Sequence, residues 1–455
     1  MGCSGFASTP GGRVSGSLKH GRAAPRQSPH HGLFLVCSSM YREMKTQIEE
    51  AREGTITPRM EAVAAAEGIE AEDLRYSVAV GEAVIMTRGR CSVGIGHGMR
   101  TKVNVNLGTS TSRVHPEEEV EKARIAALHG ADTITDLSTG GDITAIRQDI
   151  FAATTLPVTT VPIYQTAAEI GVGDMTAEDI LATLRHQAEE GVSSFVLHVV
   201  SREMIDAAWD GERIMGVVSK GGSMTAAYML THDAENPFVE HFDEVLAILR
   251  EHDIVLSLGN TMRSGCIHDE MDEAQKGEMR QNARLAAYAH EHGVQTIVEG
   301  LGGHVRADRI PVYLRRYREH SPAPLFVAGP LPTDTAVGYD HIAGCVGASI
   351  ASGAGADYLC YLTPAEHLSL PTPDQVRAGL IAFRIAAHIG DSIKYGMDDE
   401  DLALARSRSR LDWEGQVVHA IDPETARALA PEPGPCTMCG DFCAVAMMKR
   451  LREQR

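Results

Sequence analysis

A chain of 455 residues, 43% hydrophobic and 23% charged, has the composition of a globular protein and the length for one large α/β domain with appended pieces. Its formal charge of −19, with no long basic stripe beyond residue 43, argues against nucleic acid as a partner and leaves small anionic ligands held by a few local cations. No stretch approaches the roughly eighteen consecutive apolar residues of a membrane span, so a cytoplasmic protein with no membrane segment is expected.

Residues 1–43 are rich in Ser, Gly and Arg and hold no acidic residue before Glu43. They read as a disordered, targeting-like leader, or as sequence upstream of a true start at Met40 or Met44. Residues 44–90 read as a helical segment opening on "MKTQIEEAREG". Between 91 and 395, short β-branched runs alternate with amphipathic stretches. The runs fall at 101–107, 132–137, 157–164, 194–200, 214–220, 254–260, 295–301, 325–331 and 357–363, one more than a closed barrel needs.

The helices between them are punctuated. Pro116 opens "PEEEVEKARIAALHG", and Thr176 with Asp179 and Thr372 with Gln375 have the spacing of capping boxes. Strand, helix, strand at this spacing means parallel βα units, and the expected α/β fold is a (β/α)8 TIM barrel over 91–395. Each run is apolar and then delivers a polar side chain near its carboxyl end: Asn106, Asp136, Tyr164, His198, Lys220, Asn260 with Arg263, Glu299 and, after the last run, His367. In a parallel barrel those ends converge on one mouth.

Residues 396–455 are expected to form a C-terminal helical tail, in which the rigid linker "APEPGP" precedes Cys436, Cys439 and Cys443. Three thiolates leave a structural zinc site one ligand short. A [4Fe–4S] cluster on three thiolates keeps one iron open to chelate S-adenosylmethionine; a partial zinc knuckle or a chance cysteine cluster is the competing reading. His304 and His367 each follow a strand and suit zinc, or serve as ordinary cap or core histidines. "VSKGGS" and "GNTMRSG" set Lys220 and Arg263 on Gly-rich turns that can hold a phosphate or merely turn the chain tightly.

From about residue 44 to 446 the segments "EGTITPRMEAVA", "KVNVNLGTS", "GADTITDLSTGGD", "VPIYQ", "VSKGGS", "AGPLPTDTAVGYDHI", "LCYLTPAEHLSLP", "IAAHIGD", "LDWEGQ" and "CTMCGDFC", in this order, resemble the ThiC family of radical S-adenosylmethionine enzymes. The resemblance implies a homodimeric carbon–carbon lyase of thiamine biosynthesis. Its substrate would be 5-aminoimidazole ribonucleotide, its product 4-amino-5-hydroxymethyl-2-methylpyrimidine phosphate, and its reductant a flavodoxin or ferredoxin. It further implies that Cys436, Cys439 and Cys443 hold a [4Fe–4S] cluster, and His304 and His367 zinc or another divalent metal. Asn106, Tyr164, His198, Ser219, Lys220, Gly221, Asn260, Arg263, Glu299 and Phe326 fall on the family's substrate-binding motifs, with His198 and Glu299 the implied catalytic pair.

Several positions depart from that pattern. Lys220 stands where the family has Arg, Asn260 where it has Asp, Thr261 where it has Gly, Thr135 where it has Met, and Phe326 where it has Tyr. The loop before His304 is one residue longer, and the spacing from Cys439 to Cys443 one residue shorter. Such edits keep a second expectation open: the related 5-hydroxybenzimidazole synthase of anaerobic cobamide biosynthesis, or a paralogue with an altered pocket. A zinc hydrolase or lyase on a barrel, and a non-catalytic paralogue whose tail mediates assembly, are the remaining alternatives.

Overall fold

The computed structural model describes residues 45–269, 271–430 and 436–454. The expected leader, 1–43, and nearly all of the "APEPGP" linker lie outside the described residues. Thr46 and Thr57 each accept a backbone N–H as N-caps, starting the helices Gln47–Arg52 and Pro58–Glu67, and a third helix, Ala71–Val80, follows. An antiparallel hairpin comes next, β1 Ala83–Arg88 and β2 Cys91–Gly96, paired from Ala83↔Gly96 to Arg88↔Cys91. It crosses residue 90, where the expected division between segment and barrel falls.

Eight parallel strands then close on themselves. They are β3 Lys102–Leu107, β4 Thr133–Asp136, β5 Val158–Thr160, β6 Ser194–Leu197, β7 Val255–Leu258, β8 Thr296–Glu299, β9 Leu325–Ala328 and β10 Tyr358–Cys360. Closure is made by β10 against β3, with Tyr358 opposite Lys102 and Cys360 opposite Asn104. The expected barrel is therefore present, and the surplus run at 214–220 is not one of its strands. Ile214 and Met215 are exposed, Gly216 has φ +63°, and Ser219 caps the helix Lys220–His232. With neighbours already paired on β6 and β7, its β-branched residues have no ladder to join.

Side chains alternate in and out along each strand, and the inward ones divide into two characters. At the amino-terminal end Val255, Ile297 and Tyr358 meet Val84, Met86 and Ile95 of the hairpin, which plugs that end. Gln295 fixes the plug by accepting from Ile85 N (2.7 Å) and donating to Ile85 O (3.3 Å). Burying such aliphatic side chains is worth about 1.5–3 kcal/mol each. Above the plug the interior turns polar. Thr133, Thr135 and Tyr358 all donate to Asn104 Oδ1, at 3.0, 2.9 and 3.3 Å.

The helix Pro373–Tyr395 packs along Asp340–Gly353, where Gly390 is obligatory: a Cβ there would lie 2.0 Å from Ser352 Oγ. The expected mixed-charge helix divides into Asp399–Arg410 and Trp413–Val418, because Leu411 adopts φ +57° and Asp412 caps the second piece. Asp422 caps Pro423–Leu429, and the cysteine segment leads into Ala444–Glu453. Among the described residues no helix is long and apolar enough to cross a membrane.

Candidate active site at the barrel mouth

The carboxyl ends of the strands open into a cavity of about 670 Å³. Asn106, Tyr164, His198, Ser219, Lys220, Asn260, Arg263, Glu299 and Phe326 all reach it, with His304 and His367 at the same opening. Two expectations shift. Asp136 faces outward and bonds Ser138 (2.6 Å to Oγ, 3.0 Å to N), so Thr135, one residue earlier, is the lining residue. Gly221 does not line the cavity but packs beneath two residues that do.

His198 is buried, with Nε2 2.8 Å from Ser219 Oγ. That hydroxyl also accepts from Gly222 N (3.1 Å), so its single proton is free to go to the imidazole. Burial, and then the Arg263 charge, push His198 down to about 3, which keeps the ring neutral. Its Nδ1 is buried with no hydrogen-bond partner among the described residues, over Gly221, where any Cβ would sit 2.6 Å from the ring. Lys220 lies 4.5 Å over the Tyr164 ring, a cation–π contact. The lysine is exposed by surface area, yet the protein around its ammonium lowers its pKa. Tyr164, buried, is raised to about 12 and stays protonated.

Asn106 is oriented by its neighbours: Oδ1 accepts from Asn104 Nδ2 (2.8 Å) and Nδ2 donates to Cys360 Sγ (3.0 Å). Glu299 accepts from Ser257 Oγ (2.9 Å) and Asn260 N (3.3 Å), and burial raises its pKa against the opposing pull of Ser257 and Arg263. Asn260 is largely occupied by protein, donating to Glu278 Oε2 (2.6 Å) and accepting from Gly302 N (3.1 Å). Phe326 stacks on Tyr358, centroids 4.0 Å apart. The two positions whose departures suggested another substrate are thus absorbed mainly by the scaffold.

His304 and His367, 63 residues apart in sequence, stand with ring centroids 5.2 Å apart. Asp334 Oδ1 lies 2.6 Å from His304 Nδ1, and Asp340 Oδ2 lies 3.4 Å from His367 Nδ1. Asp334, hydrogen-bonded to His304 Nδ1, fixes the tautomer that offers Nε2 to a metal, whereas Asp340 lies at ion-pair distance from His367 without a hydrogen bond; the two imidazoles together could hold a zinc-like ion. Asp334 and Asp340 were missed by spacing arguments, although both lie within the quoted "GPLPTDTAVGYDHI".

In the tail, Cys436 O accepts from Cys439 N (3.3 Å) and Gly440 N (3.1 Å), and Gly440 takes φ +48°. Cys439 is raised by partial desolvation and then by the nearby Cys436 and Cys443 sulfurs. Among the described residues no three of His, Cys, Asp and Glu converge on a single ion. A [4Fe–4S] cluster does not require that, since its thiolates are spread over separate irons.

A model described as the radical SAM ThiC family matches residues 46–450. The phosphomethylpyrimidine synthase of Dehalococcoides mccartyi is 45% identical over 422 residues, covering 89% of this chain and 98% of its own. Those of Ignicoccus hospitalis (43% over 430 residues, 90% and 98%) and Methanoculleus marisnigri (45% over 419 residues, 89% and 98%) match over similar spans.

Proposed function

The chain belongs to the radical SAM ThiC family, and on that premise we propose that it is a cytoplasmic phosphomethylpyrimidine synthase acting on 5-aminoimidazole ribonucleotide. The observation that carries this is the convergence of Asn106, Tyr164, His198, Lys220, Arg263 and Glu299 on one cavity whose opening also holds His367 and His304, the latter backed by Asp334. The product is 4-amino-5-hydroxymethyl-2-methylpyrimidine phosphate, for thiamine biosynthesis. Cys436, Cys439 and Cys443 would hold a [4Fe–4S] cluster, and His304 with His367 a zinc ion. When bound, the cluster and S-adenosylmethionine supply the one-electron chemistry that starts the rearrangement.

The chain's own residues then bind, orient and move protons. Lys220 and Arg263 are the cations for the nucleotide phosphate, and the oriented Asn106 amide and neutral His198 make hydrogen bonds to the ring and ribose. Glu299, whose carboxyl is raised by burial, is the residue at the mouth best placed to carry a proton. Val161, Val196, Phe326 and Leu362 keep water from the reacting carbons. Ile214, Met215, Val337 and Leu368 give the surface around these loops an apolar character, and Met438 and Phe442 do the same for the tail. These complementary surfaces support closure of the mouth by a cluster-bearing tail in a homodimer reduced by flavodoxin or ferredoxin.

The test is anaerobic reconstitution with iron and sulfide. Reduced wild type should form 5′-deoxyadenosine from S-adenosylmethionine in a manner dependent on the ribonucleotide, and a colourless, inactive wild type overturns the proposal.

A further inference from the structure

The helix Glu273–Glu291 turns a polar stripe toward the barrel loops. Gln275 donates to Ser264 Oγ (2.8 Å), Gln281 to Val199 O, and Asn282 to Gly259 O (3.2 Å). Glu278, on the same stripe and 2% exposed, is its one charged member. Its Oε1 accepts from Thr261 N (2.6 Å), and its Oε2 from Asn260 Nδ2 (2.6 Å) and Met262 N (3.0 Å).

The bond from Asn260 leads on to functional groups. Asn260 O accepts from Arg263 Nη1 (3.3 Å), Asn260 Oδ1 accepts from Gly302 N (3.1 Å), and Asn260 N donates to Glu299 Oε2 (3.3 Å). Two residues further on, His304 N donates to Ser264 O (3.1 Å). We propose that Glu278 is a positioning residue: its buried carboxylate holds the 260–262 turn, and through Asn260 sets Arg263, Glu299 and the loop carrying His304 for nucleotide binding. Three donors converge on two oxygens, so only an acceptor on both sides satisfies them. A glutamine of the same shape must point its NH2 at a backbone or amide N–H. Burial raises this carboxyl and the three donors work against the rise by favouring the ionised form, the balance being about 7.

This inference rests on the proposed ribonucleotide substrate, and the experiment separates the two. Binding of 5-aminoimidazole ribonucleotide is measured by calorimetry for wild type, E278Q, R263K and the double variant, each checked for folding by its Tm. Hydrogen exchange is followed in the peptide spanning 259–265. E278Q is expected to weaken binding about tenfold or more and to speed exchange in that peptide. Its loss should be less than additive with that of R263K, because both act on one guanidinium. Wild-type affinity and exchange in folded E278Q, or strictly additive losses, overturn the proposal. Hydrogen exchange needs no ligand, so a wild type that fails to bind the ribonucleotide defeats the substrate assignment while exchange still decides the role of Glu278. Should E278Q not fold, E278D keeps the charge, shortens the reach and carries the same test.

Discussion

Gly221→Ala probes the tightest point beneath the mouth. The added Cβ would lie 2.6 Å from His198 Cε1, 2.8 Å from its Nδ1 and 3.2 Å from Tyr164 Cε1. Carbon contacts settle near 3.5–4.0 Å, so the methyl overlaps the imidazole by about 1 Å. The ring has little room to retreat: it bonds Ser219 on one side, and the ideal Cβ position of Gly259 is 3.1 Å from it on another. Overpacking of this kind costs about 1–3 kcal/mol. For a domain of this size the corresponding loss in Tm is roughly 1–5 °C. Displacing His198 and Tyr164 also disturbs the seat of Lys220, so affinity for the ribonucleotide should fall along with stability. Thermal melting and calorimetric titration of the purified variant read both quantities. A Gly221→Ala protein with wild-type Tm and wild-type affinity would refute the claim that this glycine is what lets His198 and Tyr164 share the site.

Three further outcomes are expected. Asp334→Asn should weaken zinc binding at His304 and His367 by about 10- to 100-fold in a chelator competition, through loss of the carboxylate that fixes the His304 tautomer. His198, held near 3 against an ordinary value of about 6.5, contributes stability that is present above pH 6.5 and lost as pH falls toward 3, since the unfolded chain binds the proton first. His198→Asn should therefore show a smaller drop in Tm between pH 7 and pH 5 than wild type; an unchanged drop would contradict the buried neutral ring. Cys439→Ala should lose the iron–sulfur absorbance after reconstitution while keeping the Tm of the barrel, because the tail helix Ala444–Glu453 has no buried residue.

The architecture was legible because local signals agreed with the global fold. Thr176 with Asp179 and Thr372 with Gln375 are capping boxes in the structure as in the sequence, and the eight barrel strands lie within eight of the nine runs. The ninth run failed because β propensity describes a residue that fits a ladder, and at 214–220 the chain turns into a helix cap instead. The hairpin at Ala83–Gly96 escaped notice for the opposite reason: "CSVGIG" has two glycines, and its value lies in plugging the barrel rather than in its own propensity. At the site, residues on strand ends could be read by period, whereas those that orient them could not. Glu278 looks like an ordinary polar residue of an amphipathic helix, and only the fold shows its face turned inward. Asn260 and Phe326 carried the suggestion of a different substrate, yet their partners are Glu278, Gly302 and Tyr358. Composition at a lining position does not reveal which atoms the scaffold has already used.

The most direct measurement is mass analysis of the product formed anaerobically from 5-aminoimidazole ribonucleotide and S-adenosylmethionine by the reconstituted, reduced protein. A mass matching 4-amino-5-hydroxymethyl-2-methylpyrimidine phosphate is the predicted result. Formation of 5-hydroxybenzimidazole, or turnover that persists in air with zinc alone, would contradict it.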